Sequence, residues 1–192
     1  MIVGFEGGLG SGKTVGVVEY LYKDSLENRP IATNFDLYDI EFDYLNLKKL
    51  LDDAQKEIDL NELSMGIDEI QVFIDSRVSG HSKKNMLFSY FVLQTRKRNV
   101  NLYYTTQHFD MVDKRVYRHT DIYVLCDKIF SWEYPELALL HGVDVDDNSI
   151  LDIRKYTIID LRDKHRPSKN VVLKDMSEWY DYYDTNQRIL PI

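Results

Sequence analysis

The chain has 192 residues, of which 44% are hydrophobic and 29% charged, a composition typical of a globular domain with one core. The lone cysteine, Cys126, excludes an internal disulfide and fits a reducing compartment such as the cytoplasm. No stretch approaches the roughly 18 consecutive apolar residues that cross a membrane, and a strand-like segment opens the chain, so we expect neither a membrane span nor a signal peptide.

The net charge of −8 is unevenly distributed along the chain. Residues 77–118 hold nine basic and two acidic residues, a net charge of +7, which leaves −15 for the remainder. Charge runs of this kind are most often solvated faces. They equally suit one basic surface on an acidic body, facing DNA or the triphosphate of a neighbouring subunit.

The first predicted elements are a strand at 1–6, a glycine-rich loop and a helix at 13–25. The loop fits G-x-x-x-x-G-K-[ST] at every fixed position, with the residues Gly7, Gly8, Leu9, Gly10, Ser11, Gly12, Lys13 and Thr14. Its glycines let consecutive backbone N–H groups approach a polyphosphate, Lys13 reaches the β- and γ-phosphates, and the Thr14 hydroxyl ligates Mg²⁺. The loop therefore predicts binding of ATP or another nucleoside triphosphate with Mg²⁺; the alternative is a glycine turn that binds nothing.

Strands and helices then alternate, which predicts a parallel sheet with right-handed crossovers. The predicted strands are 29–35, 62–67, 101–106 and 121–126, and the predicted helices are 47–56, 70–77, 83–99 and 111–119. Beyond residue 127 the pattern loosens into strands at 128–133 and 156–161, an extended piece at 171–173 and a helix at 176–183. We therefore predict a single domain over 1–192, with a nucleotide-binding core at 1–127 and an extension at 128–192 that adds antiparallel edge strands.

Two strand ends carry residues suited to hydrolysis. Asp68 follows a strand about 55 residues after the loop, where a carboxylate holds Mg²⁺ through water, and Glu69 can orient and deprotonate an attacking water. The alternative for this pair is a helix N-cap followed by an exposed acid. Gln107, after the strand at 101–106, is placed to sense the γ-phosphate; its alternative is a polar residue that merely starts a loop.

The sequence resembles the FtsK/HerA superfamily of DNA-pumping ATPases. The resemblance is carried by the loop and by segments 67–71, 94–102 and 105–107. Within it, the chain is most similar to viral genome-packaging ATPases and to the Zot-like assembly ATPases of filamentous phages. The resemblance implies an α/β three-layer sandwich of the RecA/ASCE type. It makes Lys13 and Thr14 Walker A residues, Asp68 and Glu69 the Walker B pair and Gln107 the sensor.

The same resemblance implies a homo-oligomeric, hexameric ring that couples ATP hydrolysis to translocation of double-stranded DNA. It also implies an arginine supplied to a neighbour's active site, for which we select Arg96 from a set that includes Arg77, Arg98 and Arg118. We predict a viral genome-packaging ATPase, located in the host cytoplasm or on the virion, with a capsid or other virion protein as a further partner.

Three alternatives remain open at this stage. A Zot-like virion assembly ATPase usually carries a membrane span after its ATPase domain, and none is found here. A nucleoside or small-molecule kinase needs an arginine-rich lid but no catalytic glutamate. A nucleotide-gated assembly factor would bind a nucleotide without hydrolysing it.

The histidines and tyrosines do not indicate a further site. The five histidines lack metal-ligand spacing, and the fourteen tyrosines are predicted to pack in the core more than to stack on bases.

Overall fold

The computed structural model describes residues 1–45, 62–72, 88, 91–145, 149–163 and 167–184. Its eight strands are β1 (Ile2–Glu6), β2 (Ile31–Thr33), β3 (Asp43–Tyr44), β4 (Ser64–Ile67), β5 (Asn101–Thr106), β6 (Ile122–Phe130), β7 (Ile150–Asp160) and β8 (Ser168–Asp175). Its α-helices are α1 (Lys13–Leu26), α2 (Lys114–Tyr117) and α3 (Pro135–Leu140), and residues 91–94 are also helical. Short 3₁₀ helices cover Ile70–Val72, Phe109–Met111 and Ser177–Tyr182.

All eight strands form one sheet in the order β3-β2-β4-β5-β1-β6-β7-β8. The pairs from β3 to β6 are parallel, and the β6–β7 and β7–β8 pairs are antiparallel. The prediction of a mostly parallel α/β sheet with antiparallel strands from the C-terminal part is confirmed. Because β5 lies between β1 and β4, the loop after β1 and the acidic pair after β4 share one edge of the sheet and lie two strands apart.

Both faces of the sheet are covered, which gives the predicted three layers. Neighbouring strand residues alternate between two cores: Ile2 belongs to one core with Leu102 and Phe91, and Val3 belongs to the other with α1. The predicted apolar stripe of α1 is buried in that second core. Tyr103 and Tyr104 are fully buried on opposite faces, so the prediction that they are core residues is confirmed.

The C-terminal part differs from the prediction in its boundaries. The two strands predicted at 121–126 and 128–133 are the single strand β6, and β7 and β8 extend well beyond 156–161 and 171–173. The predicted helix at 176–183 is the 3₁₀ helix Ser177–Tyr182, and α2 is shorter than the predicted 111–119. The two ends of β8 are polar, and nearly all of that strand is exposed, so they lack the apolar alternation by which strands are recognised.

Two short elements, β3 and α3, were not predicted. The helix predicted at 47–56 lies outside the described residues, as do 73–77 of the helix predicted at 70–77 and 83–87 and 89–90 of the helix predicted at 83–99. Within the described ranges, the structure contains no helix that combines the length and apolarity needed to cross a membrane.

Candidate nucleotide-binding site

The glycine-rich loop turns sharply between β1 and α1. Gly10 and Gly12 have φ angles of 69° and 88°, a left-handed conformation that strains residues with a Cβ. Gly12 precedes the first residue of α1, so the free N–H groups of the first helical turn face the loop. This is the geometry by which a helix N-terminus binds phosphate.

Two buried polar side chains in the loop lack the partner that a phosphate would supply. Lys13 is only 6% exposed, and its Nζ donates to the Gly8 carbonyl oxygen at 3.0 Å. The Ser11 hydroxyl is buried and finds no hydrogen-bond partner among the residues that the structure describes. Buried polar groups are rarely left unpaired, so the Ser11 hydroxyl fits a loop that binds an anion. The buried ammonium of Lys13 supplies a positive charge in the same loop.

Thr14 and Asp68 meet at the carboxyl edge of the sheet. The Thr14 hydroxyl donates to Asp68 Oδ1 at 3.0 Å, and the Thr105 hydroxyl donates to the same oxygen at 2.6 Å. Asn34 fixes the backbone of Asp68 from the other side, because its amide donates to the Asp68 carbonyl at 3.0 Å and accepts from the Asp68 N–H at 2.7 Å.

Burial raises the pKa of Asp68 above its ordinary value, and the hydrogen bonds from Thr105 and Thr14 oppose that shift. A buried carboxylate beside a hydroxyl, next to a phosphate-binding loop, is the oxygen donor set that Mg²⁺ takes together with water and phosphate oxygens. The residues present therefore fit Mg²⁺.

Glu69 occupies a constrained turn immediately after Asp68. Its φ angle of 52° lies in the left-handed region, which is uncommon for a residue with a side chain. The Thr105 hydroxyl oxygen accepts from the Glu69 N–H at 2.8 Å, and the Glu69 carboxylate accepts from the Gln71 amide. The turn holds Glu69 at the same edge as Asp68, and Gln71 was not among the residues predicted for the site.

Gln107 follows β5 directly and is exposed. Because β5 runs between β1 and β4, its last residues lie between the loop and the acidic pair. Thr105 already contacts Asp68, so the topology brings Gln107 to the edge that carries both.

Arg96 lies at the opposite edge of the sheet. Its Nη2 donates to Asp121 Oδ1 at 2.6 Å, and the other Asp121 oxygen accepts from the Ile2 N–H at 2.8 Å. Ile2 begins β1, so Arg96 is separated from its own loop by the five-residue length of that strand, about 15 Å. Arg96 is not part of this chain's own site, and a role in a neighbour's site stays a prediction; Arg77 lies outside the described residues.

The structure adds two side chains from β7 that the sequence analysis missed. Arg154 Nε donates to the Gly10 carbonyl oxygen at 2.9 Å, and the Tyr156 hydroxyl donates to that of Gly12 at 2.5 Å. Lys128, the cross-strand partner of Arg154, lies close enough that a Cβ atom on Gly10 would meet its Nζ at 3.3 Å. Two cations therefore stand beside the loop in addition to Lys13, and together they favour a polyanion there.

No protein-family model matches the sequence, and no curated protein matches it. Solved structures do match. The N-terminal domain of zonular occludens toxin from Neisseria meningitidis is 16% identical, with a TM-score of 0.62 over 95% of this chain and 98% of that one. The genome-packaging NTPase B204 of Sulfolobus turreted icosahedral virus 2, bound to ATP-gammaS, is 12% identical, with a TM-score of 0.56 over 90% and 95% of the two chains.

A third solved structure, described as an ATPase domain, is 11% identical, with a TM-score of 0.55 over 95% of this chain and 83% of that domain. The chain has the P-loop ATPase fold. The likeness extends through the antiparallel strands, since the matches cover nine-tenths or more of this chain. The predicted resemblance to packaging and Zot-like ATPases is thus confirmed as a likeness of fold.

Proposed function

We propose that this P-loop protein is a Mg²⁺-dependent ATP hydrolase. The observation that carries the proposal is the contact between Thr14 and Asp68 beside the loop, with Glu69 held next to it. In this proposal Gly7, Gly8, Leu9, Gly10, Ser11, Gly12 and Lys13 hold the phosphates, and Thr14 and Asp68 hold Mg²⁺. The ion would neutralise charge on the β- and γ-phosphate oxygens.

The chemical step follows from the positions of the two remaining residues. Glu69 orients a water molecule towards the γ-phosphorus and takes its proton as the new P–O bond forms and the bond to the β–γ bridging oxygen breaks. Gln107 contacts the γ-phosphate and changes its contacts once that group leaves. Lys13 stays with the phosphates throughout and stabilises the charge that develops on them.

Adenine nucleotides are the proposed substrates. Structures of B204 are described in complex with AMP, ATP-gammaS and AMPPCP, and that protein shares the fold of this chain. The likeness supports ATP as the first nucleotide to test.

We further propose that hydrolysis drives translocation of double-stranded DNA by a ring of subunits, as in genome packaging. B204 is a genome-packaging NTPase, and the basic segment 77–118 of this chain includes Arg96, whose side chain is 70% exposed at the edge opposite the loop. In a ring, a neighbour's loop would meet that edge and receive Arg96. A Zot-like assembly role is the second candidate, favoured by a match that covers 98% of the zonular occludens toxin domain.

The test is ATP hydrolysis by the purified chain with and without linear double-stranded DNA, using Lys13→Ala as the blank. A motor should hydrolyse faster when DNA is added, and its particle mass should rise to that of a ring with AMPPCP and DNA. A hydrolysis rate that is unchanged by DNA would favour the assembly role. Transfer of the γ-phosphate to a nucleoside monophosphate would overturn both and indicate a kinase.

A further inference from the structure

An open cavity of about 450 Å³ lies in the C-terminal part of the chain and takes no part in the chemistry described above. Its lining is aromatic and acidic, formed by Tyr38, Tyr180, Tyr183 and Asp184. The volume falls within the range of about 300–1,000 Å³ that is usual for small-molecule sites. We refer to it as the tyrosine pocket.

One face of β7 connects the tyrosine pocket to the glycine loop. The Tyr180 hydroxyl donates to Asp152 Oδ1 at 3.0 Å. Arg154 and Tyr156 follow on the same face, since alternate strand residues share a face, and both donate to carbonyls of the loop. Asp152, which holds Tyr180 of the pocket, is therefore two residues, about 7 Å along the strand, from Arg154, the first residue of this face that contacts the loop.

A second connection runs through Met176. Its N–H donates to the Asp152 carbonyl at 2.8 Å, and a Cβ atom on Gly12 would meet its sulfur at 3.0 Å. The 3₁₀ helix Ser177–Tyr182 starts directly after it and crosses α1, where Trp179 and Tyr182 pack edge-on against Tyr22. This crossing places the pocket on the α1 side of the loop.

The same helix also joins the pocket to the end of β2, because the Tyr38 N–H donates to the Tyr182 carbonyl at 2.8 Å. Burial raises the pKa of Tyr183 to about 12, and the charges of Asp68 and Arg154 lie near enough to act on it. Tyr183 is therefore a neutral ring within electrostatic reach of both the metal-site carboxylate and the loop.

The chemistry of the pocket suits a planar, nitrogen-rich ring. Tyr38 and Tyr180 are 47% and 40% exposed, so each presents aromatic surface that a stacked base would remove from water. The Asp184 carboxylate can accept hydrogen bonds from ring or exocyclic N–H groups. A purine has two fused rings and covers more of this surface than a pyrimidine does.

We propose that the tyrosine pocket receives the purine base of the nucleoside triphosphate whose phosphates lie on the glycine loop. This inference rests on the proposed nucleotide binding and deepens it. The prediction that tyrosines pack in the core more than they stack on bases is confirmed for Tyr103 and Tyr104. In this proposal the three tyrosines of the pocket also contact a base.

Isothermal titration with Mg²⁺ tests the pocket, using AMPPCP and inorganic tripolyphosphate as the two probes. The intact chain should bind AMPPCP at least about fivefold more tightly than tripolyphosphate, since stacking of one base on an aromatic ring is worth about 1–3 kcal/mol. Tyr183→Ala and Tyr180→Ala should lose most of that advantage while their affinity for tripolyphosphate stays unchanged. Tyr183→Phe should keep the advantage of AMPPCP over tripolyphosphate. The control Tyr44→Ala, which changes an exposed tyrosine on β3, should keep it too.

Tyr180→Ala keeps the test decisive if Tyr183→Ala fails to fold, because the Tyr180 side chain is on the surface. Equal affinities of the intact chain for the two probes would overturn the proposal that the tyrosine pocket binds the base. They would leave the proposed phosphate site standing. Equal losses for both probes in the alanine variants would overturn the proposal for the pocket in the same way. Failure of the folded chain to bind either probe would overturn the nucleotide site itself.

Discussion

The Thr14 hydroxyl donates to the Asp68 carboxylate across β5, the strand that separates the elements from which the two residues come. They are 54 positions apart in sequence, and parallel strands bring their side chains to 3.0 Å. The fold itself thus holds together the two oxygen donors of the proposed Mg²⁺ site. Thr14 and Asp68 would hold Mg²⁺ in place of the hydrogen bond between them.

The raised pKa of Asp68 predicts a pH-dependent cost of keeping this carboxylate ionised. A carboxyl whose pKa is raised on folding contributes stability that is fully present below its unfolded pKa and is lost as the pH rises through its folded pKa. Asp68→Asn cannot ionise, so it avoids this loss of stability at neutral pH. Its amide keeps an oxygen that accepts the hydrogen bonds from Thr14 and Thr105. We expect the variant to melt at a higher temperature than the intact chain at pH 7 without ligand.

Thermal melts between pH 4 and pH 8 check this prediction. The difference in Tm between Asp68→Asn and the intact chain should grow from the acid to the neutral end. The stabilisation that Mg²⁺ and AMPPCP give to the intact chain should vanish in the variant. A difference that is constant with pH would show that Asp68 is not the titrating group.

Lys13→Ala should weaken nucleotide binding and slow hydrolysis. Its ammonium is buried in the loop on which the proposed phosphates lie. We expect kcat to fall by at least about 100-fold, the usual cost of removing one preorganised stabilising donor. Lys23→Ala removes a lysine that is 62% exposed on the same helix and serves as the matched control. Similar losses in both variants would remove Lys13 from the site.

Arg154→Ala should weaken binding of the phosphates themselves. Arg154 contacts the loop at Gly10, so its loss should raise the Kd of tripolyphosphate and of AMPPCP alike, by about tenfold, an energy of the order of one charge-assisted hydrogen bond. Lys155→Ala, on the opposite face of β7, controls for the loss of one positive charge. Arg154→Lys should recover part of the affinity, because it keeps the charge but not the planar fork. If Arg154→Ala binds tripolyphosphate as tightly as the intact chain, Arg154 does not contribute to phosphate binding.

Asp24 should govern stability without affecting the site. Its Oδ2 accepts from the Ser64 hydroxyl at 2.5 Å, the Tyr103 hydroxyl at 2.7 Å and the Asn101 amide at 2.9 Å, near the end of α1 remote from the loop. Asp24→Ala leaves three donors unpaired and should cost roughly 3 kcal/mol, whereas Tyr103→Phe removes one bond and should cost about 1 kcal/mol. Urea unfolding checks both values, and a smaller loss for Asp24→Ala than for Tyr103→Phe would contradict the account.

The parts of the site that were predictable are those that a local pattern encodes. The loop from Gly7 to Thr14 is contiguous, and Asp68 follows a strand whose carboxyl end a parallel sheet must bring to the same edge. The contribution of β7 was not predictable in this way. Arg154 and Tyr156 reach the loop only through the antiparallel register of β7 with β6, and no local sequence pattern encodes that register.

Arg96 shows a second limit of sequence reasoning. It falls between the acidic pair and Gln107 in the chain, yet it lies at the other edge of the sheet because the segment before β5 must return to the start of the next parallel strand. The 3₁₀ helix over α1 depends on aromatic contacts between Tyr22 and Trp179, residues far apart in sequence. No local period encodes such a contact.

Glu69→Gln tests the central claim, that the edge formed by Asp68 and Glu69 is a hydrolytic site. The amide keeps the shape of the side chain and cannot take a proton from water. We predict an unchanged Kd for AMPPCP and a single-turnover rate of ATP hydrolysis lower by about 10²–10⁴-fold, the usual contribution of a general base. Hydrolysis by Glu69→Gln at the rate of the intact chain would contradict the account.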